Sequence, residues 1–244
     1  MEIRQEIKYD RVRNFAQATS GEVNLSCGFP RWKRCLDLAC IALALPLWLP
    51  LMLLVALGIK LLSPGPVLYR QERVGHRGRR FLCLKFRSMR VNAETQTHER
   101  YLEHLMQSDS PMTKLDAAGD PRLIPCGRIL RATGLDELPQ ILNVIRGEMS
   151  LVGPRPCTPK ESESYDTRQQ ERFDAPPGLT GYWQVNGKNE TTFSAMIEMD
   201  IHYARHMSPG MDLWIMLKTI PVIAREVFAP RTPPPPERTG QNCS

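Results

Sequence analysis

Three things are missing from this sequence, and each absence narrows the reading. Its seven cysteines, at 27, 35, 40, 83, 126, 157 and 243, are scattered, odd in number and form no C-x-x-C pair. That pattern suits neither a disulfide framework nor a structural zinc site, and it points to a reducing, cytoplasm-facing environment. His202 and His206 have the i, i+4 spacing of a helical metal pair, but no third ligand accompanies them, so zinc is not expected. The first residues are mixed polar and charged, without an apolar h-region, so 1–30 reads as an N-terminal arm rather than a signal peptide. Acid is also scarce where base is crowded. Between Arg70 and Arg90 eight lysines and arginines accompany the single acid Glu72. With a net charge of +6 and a pI near 9.0, the chain suits an anionic partner: nucleic acid, anionic lipid or a phosphorylated substrate.

What is present begins with a charge-free run over residues 38–59, preceded by Arg31, Lys33 and Arg34 and closed by Lys60. Those 22 residues would span a bilayer as a straight helix. Pro46 and Pro50 bracket the midpoint, where each costs roughly 3 kcal/mol and kinks a helix. Half of the run, at ~1.5 Å per residue, reaches only about half of a ~30 Å hydrocarbon core. Residues 31–62 therefore read as a re-entrant membrane helix kinked at Pro46 and Pro50. Basic flanks on both sides put both ends in the cytoplasm. A kinked spanning helix and a buried soluble helix are the rival readings. Asp37, at the cationic edge, is expected at the membrane interface, paired with Arg34 or Lys33.

Residues 63–230 read as a mixed body. Ser63-Pro64-Gly65-Pro66 breaks the helix. Short strands follow over 67–69 and 81–84, with Lys85 and Arg87 alternating about Phe86 and free to face either lipid headgroups or a phosphate. Residues 91–112 read as a soluble surface helix. Next comes Gly134-Leu135-Asp136-Glu137-Leu138-Pro139-Gln140. Proline is tolerated in a helix only in its first turn, so a helix is expected from about Asp136, with Leu138, Ile141, Leu142 and Ile145 as its apolar face. Asp136 and Glu137 then stand at an end that favours anions, either as plain capping charges or as reactive carboxylates. A glycine turn at Gly147, a strand over 150–152 and a stiff Pro154-Arg155-Pro156 complete this part. Tyr182 and Trp183, beside Gln184 and Asn186, could stack on a base or fill a core. Residues 213–228 suit an amphipathic helix lying in the membrane interface, with core packing as the rival. A Pro-rich disordered tail takes up 231–244.

Seven short motifs occur in one order: Lys33-Arg34-x-x-Asp37, Lys85-Phe86-Arg87-Ser88-Met89, Asp120-Pro121-Arg122, Leu135-Asp136-Glu137-Leu138-Pro139-Gln140, the run from Ser150 to Pro156, the run from Pro177 to Gly181, and Gln184-Val185-Asn186-Gly187. Over roughly residues 31–228 the chain resembles the bacterial sugar transferases, the monotopic phosphoglycosyl transferases. The resemblance implies an α+β protein: a small α/β catalytic domain with a re-entrant membrane helix and interfacial amphipathic helices. It implies transfer of a sugar phosphate from a nucleotide diphosphate sugar, with UDP as the carrier, to polyprenyl (undecaprenyl) phosphate. Mg²⁺ is the implied cofactor and the cytoplasmic face of the bacterial inner membrane, with its phospholipid, the implied setting. No nucleic-acid partner is expected, and a homodimer is left open. The resemblance makes Asp136 the nucleophile; the residues alone do not choose between it and Glu137, which would assist or help hold the metal. Lys85, Arg87, Arg131, Arg155, Gln184 and Asn186 are the candidates for substrate and phosphate binding. Two departures stand out: Leu49-Pro50 replaces the family's common Ser-Pro, and Pro176 replaces a common basic residue. A non-catalytic basic membrane-surface adaptor and an aspartyl-phosphate phosphatase remain as rivals.

Overall fold

The computed structural model describes residues 28–90, 105–106, 108, 111, 122–187 and 191–228. The arm before residue 28, most of the helix expected over 91–112 and the tail from 229 lie outside the described residues.

The first helix, α1 (Arg31–Leu62), contains both prolines and, by length and composition, is long and apolar enough to cross a membrane. Pro46 and Pro50 deprive the carbonyls of Ala42 and Pro46 of their usual donors. Between them the indole of Trp48 folds back and donates to the Ile41 carbonyl at 3.0 Å. One face of α1 is buried along its whole length, through Lys33, Asp37, Ile41, Trp48, Val55 and Ile59. Steps of four and seven keep those residues on one side of a helix. On the opposite side Leu43, Leu47, Leu54, Leu57 and Leu61 are exposed.

The body combines helices with two small sheets, as an α+β reading requires. Strands β1 (Leu68–Val74) and β2 (Arg80–Phe86) form an antiparallel hairpin with Leu68 opposite Phe86 and Val74 opposite Arg80. Both strands outrun the short apolar segments expected, because the ladder carries on through charged residues, with Arg70, Glu72 and Arg80 exposed and Arg73 buried against the Pro156 carbonyl. Helix α2 (Gly127–Thr133) ends at Gly134, whose φ of 71° reverses the chain cheaply. A 3₁₀ turn over Leu135–Glu137 follows, then α3 (Gln140–Arg146). The expected helix thus opens as a tight turn, and the reason is Pro139. It has no N–H to give Leu135, so the Leu135 carbonyl takes the Leu138 amide instead, at 3.2 Å.

Strands β3 (Ser150–Val152) and β4 (Gly178–Thr180) pair in parallel, Ser150 with Gly178 and Val152 with Thr180. Their backbones close on each other so tightly that a Cβ at Gly153 would lie 2.0 Å from the Pro176 carbonyl oxygen. Glycine is required there. Helices α4 (Pro159–Glu163), α5 (Tyr182–Val185), α6 (Phe193–His206) and α7 (Pro209–Phe228) complete the described body.

Both halves of α1 rest on this one body. Ile41 and Trp48 join Cys83, Ile141, Val144 and Met149 in one apolar cluster, while Val55 and Ile59 join Phe86, Ile124 and Leu130 in another. At its N-terminal end the docking is polar, which corrects an expectation. Asp37 makes no hydrogen bond to Arg34 or Lys33. It is buried, and one of its oxygens accepts from the Ser150 hydroxyl at 3.0 Å and the Leu151 amide at 3.1 Å. Lys33 reaches instead to Asp212 at 2.5 Å and the Tyr203 hydroxyl at 2.8 Å. Arg34 donates to the carbonyls of Val144 and Ile145 in the last turn of α3. A polar residue at the start of an apolar helix can find protein partners instead of headgroups, and here a helix face buried against protein made that the cheaper outcome.

Lys33 and Asp212 are 0% and 1% exposed. Breaking a pair this deep leaves an uncompensated charge, at a cost of about 3–5 kcal/mol. Asp212→Asn should therefore destabilise the detergent-solubilised protein by about 3 kcal/mol in chemical denaturation. The Lys33→Met/Asp212→Leu double variant should lose less than Asp212→Asn alone. An Asp212→Asn loss below about 1 kcal/mol would mean that Lys33 is not desolvated in the folded protein.

Candidate active site

The acidic pair is built from its backbone outward. Leu135 and Leu138, on either side of it, pack inward against the cluster of Val55, Ile59 and Phe86. That turns Asp136 and Glu137 outward on a one-turn helix, both partly exposed. The apolar seat under the pair thus includes α1 itself.

Lys85, near the end of β2, meets the pair from the neighbouring hairpin. Its ammonium lies 2.8 Å from Glu137 Oε1, with side chains 24% and 46% exposed. An ion pair this open adds little stability, about 0–1 kcal/mol. It does hold a cation next to the carboxylates, in a spot a solute can reach. Arg131 is half-buried in the last turn of α2, just before the Gly134 reversal. Asp136, Glu137, Lys85 and Arg131 therefore come from adjoining turns and strands.

The other candidates are engaged elsewhere. Arg87, expected to face the same way as Lys85, is buried, and its two terminal nitrogens donate to the Pro64 and Ser63 carbonyls at 2.7 and 2.9 Å. Those carbonyls belong to the break after α1, whose backbone needs donors more than a solvated phosphate does. Arg87 thus clamps the exit of α1. Arg155 is held as its Pro-Arg-Pro setting implies, and its partner is Glu161 at 3.1 Å. Glu161 also accepts from the Thr158 amide at 2.7 Å in a reciprocal cap of α4. Behind it, the buried Arg172 donates to the Arg155 carbonyl at 2.9 Å and pairs with Asp200 at 2.5 Å. Arg155 is accordingly a well-braced cation. Gln184 lies on α5 with its side-chain oxygen over Gly181, and Asn186 donates to the Tyr182 carbonyl at 2.8 Å, closing that short helix.

Trp183 is buried in the core, and Tyr182 packs between His202 and Trp214, with ring centroids at 5.2 and 6.1 Å. The core reading of Trp183 prevails. The rings of His202 and His206 stack at 4.4 Å, and no group of three metal-ligating side chains occurs among the described residues. Residues with no motif to mark them complete the frame. Asp200 and Asp212 are acids on the buried faces of α6 and α7, a signal visible in retrospect; Arg172 and Asn143 had none.

These features coincide with family membership. A family model for bacterial sugar transferases matches residues 29–226, so the chain belongs to that family and is a transferase. The exopolysaccharide production protein ExoY of Sinorhizobium fredii is 40% identical over 191 residues, covering 78% of this chain and 84% of that protein. The UDP-glucose:undecaprenyl-phosphate glucose-1-phosphate transferase of Caulobacter vibrioides is 43% identical over 197 residues, covering 78% and 68%. The undecaprenyl-phosphate galactose phosphotransferase of Salmonella typhimurium is 36% identical over 199 residues, covering 79% of this chain but 40% of that longer protein.

Burial by itself would raise the Glu161 carboxyl, but Arg155 and Arg73 beside it outweigh burial and hold it below its ordinary value near 4.5. A carboxyl depressed on folding stabilises the native state fully above its unfolded value, and that contribution is lost as pH falls toward the folded value. The stability gap between wild type and Glu161→Gln should therefore stay level above about pH 5 and narrow below about 4.5. Denaturation midpoints over pH 3–7 will show it; a gap independent of pH would mean that folding does not lower the Glu161 carboxyl.

Proposed function

We propose that the protein transfers a sugar phosphate from a nucleotide diphosphate sugar to polyprenyl phosphate, at the membrane surface, through a covalent intermediate on Asp136. The observation that carries this reading is the outward-facing Asp136–Glu137 turn, with the Lys85 ammonium on Glu137, seated directly on the apolar α1. The activities for which the relatives are named support a UDP-sugar donor and an undecaprenyl phosphate acceptor in exopolysaccharide or related glycan assembly.

In the first half-reaction an Asp136 carboxylate oxygen attacks the β-phosphorus. A carboxylate O–P bond forms, the P–O bond to the bridging oxygen breaks, and the nucleoside monophosphate leaves with the electron pair. In the second, a phosphate oxygen of the lipid attacks the same phosphorus and Asp136 leaves as carboxylate. No proton need be gained or lost overall. Lys85 and Arg131, beside the acidic pair, offset the charge that develops on the phosphoryl oxygens. Glu137 is held beside Asp136 by the Lys85 ammonium at 2.8 Å. The donor set suits Mg²⁺: one or two carboxylates, Asp136 and Glu137, with water and the diphosphate completing an oxygen shell. Bound there, the ion would neutralise diphosphate charge.

The membrane part of the proposal is re-entrant, with both flanks of α1 cytoplasmic. Support comes from the buried face of α1, which rests on one body from Lys33 to Ile59; a spanning helix would draw that body into the bilayer. The exposed leucines of α1, and Leu213, Trp214, Leu217, Ile220 and Ile223 of α7, suit contact with lipid, α7 lying in the interface. Lys218 over the Trp214 ring, 4.2 Å from its centroid, fits that boundary.

Two measurements test these statements. Cysteine labels at the exposed Gly28 and Pro66, in a background without native thiols, should both react from the cytoplasmic side only; labelling of either from the periplasm means that α1 spans. Without lipid, enzyme and UDP-sugar should release at most one equivalent of UMP and gain a sugar-phosphate mass on the Asp136 peptide. EDTA should stop that release. Asp136→Asn, with a normal melting profile, should lose turnover by at least about 10³-fold. An adduct on Glu137, or normal turnover in Asp136→Asn, would remove Asp136 from its role.

A further inference from the structure

Asn143 is fully buried on α3, yet every polar atom of its amide has a partner. Its Oδ1 accepts from the Leu84 amide at 3.0 Å, and its Nδ2 donates to the Leu82 carbonyl at 2.8 Å. Those two groups belong to the outer edge of β2, the edge turned away from β1. A side-chain amide thus takes the place of a neighbouring strand. The same Nδ2 donates to Glu148 Oε2 at 2.6 Å, and the Asn143 carbonyl accepts the Glu148 and Met149 amides at 3.0 and 3.3 Å.

Leu84 immediately precedes Lys85, and Asn143 lies six residues after Glu137, on the helix that follows the acidic turn. The paired contacts of one amide therefore fix the slide and rotation of β2 against α3. That offset is what determines whether Lys85 reaches Glu137, in an ion pair whose side chains are 24% and 46% exposed. We infer that Asn143 is a positioning residue: its amide splints β2 to the helix of the acidic turn and so sets the register of Lys85 on the Asp136–Glu137 pair. Packing alone would not do this. The apolar cluster of Cys83, Ile141, Val144 and Met149 around it tolerates small shifts, whereas a two-point amide clasp does not.

The inference rests on the sugar-phosphate transfer reading for its kinetic readout, and on nothing but the fold for its structural one. Asn143→Asp is isosteric and keeps the acceptor for Leu84, but puts a carboxylate against the Leu82 carbonyl and Glu148. It should lower kcat by about 10²-fold at near-constant KM for the nucleotide sugar, since a displacement of about 1 Å at a positioned group has that effect. Adding Glu148→Gln supplies a donor and should restore part of the loss. In a Lys85→Ala background the Asn143→Asp change should cost no more than about a further twofold, the limit within which independent effects are indistinguishable. Full additivity of the two losses would overturn the inference, because Asn143 would then act elsewhere.

Should Asn143→Asp not fold, Glu148→Ala loosens the same amide from a half-buried position and must show the same loss of additivity with Lys85→Ala. Hydrogen exchange gives the readout independent of activity. In the wild type the Leu84 amide should exchange as slowly as that of Cys83, which the antiparallel alternation points toward β1. In Glu148→Ala, Leu84 alone should speed up, by about tenfold or more. A fast Leu84 amide in the wild type would disprove the clasp whatever the enzyme does. A wild type that is inactive on nucleotide sugar and polyprenyl phosphate, but slow at Leu84, would count against the proposed reaction and leave the clasp standing.

Discussion

A lysine charge taken out of water in the first turn of an apolar helix is the constraint on which the rest depends. Lys33 cannot keep its charge in that position without an anion, and Asp212, with the Tyr203 hydroxyl bridging at 2.6 Å, supplies it from the far end of the chain. The same hydroxyl lies 3.2 Å from the Val152 carbonyl of β3, so one buried cluster joins α1, β3, α6 and α7. Because such a cluster is costly to half-satisfy, it tolerates only one arrangement of those elements. The apolar face of α1 then continues the contact residue by residue, as far as Ile59.

From this follows the relation between anchor and site. The turn bearing Asp136 and Glu137 is not attached to the membrane element by a linker; its own leucines lie on α1. Arg34 holds the carbonyl end of α3 while the acidic turn occupies the other end. With α1 placed in lipid as proposed, packing would set the depth of the site. An enzyme acting on a lipid phosphate needs that, since its acceptor's reacting group is confined to the headgroup layer. The second brace, from Arg172 and Asp200 through the Arg155 carbonyl to Glu161, is more remote and wholly within the body. It stiffens a loop whose prolines had already restricted it.

The proline at 139 shows how a local rule shaped the acidic turn. Without its N–H the helix cannot begin in α geometry, so the acidic pair sits on a tighter 3₁₀ turn, displayed at the surface by Leu135 and Leu138 on its inner side. Arg87 shows the limit of such rules. Alternation put it on the same side as Lys85, but the strand ended first, and the unpaired carbonyls of Ser63 and Pro64 claimed its guanidinium.

By itself the sequence determined the features that depend on neighbouring residues and bulk composition. These are an apolar helix interrupted by two prolines, an acidic pair at the start of a helical segment after a glycine, the core strands of a hairpin and a stiff Pro-Arg-Pro, along with the family to which their order belongs. Periodicity, the missing proline N–H and the cost of charge in apolar surroundings act over a few residues, so they can be read in one dimension. Tertiary structure alone decided which partner each polar residue would meet. Asp37 and Ser150 are 113 residues apart, Lys33 and Asp212 are 179, and Leu84 and Asn143 are 59. Nothing local distinguishes Asn143 from a solvated asparagine. Its role comes from burial at an open strand edge, where an amide must satisfy a backbone that no strand covers, and that condition exists only once the chain has folded.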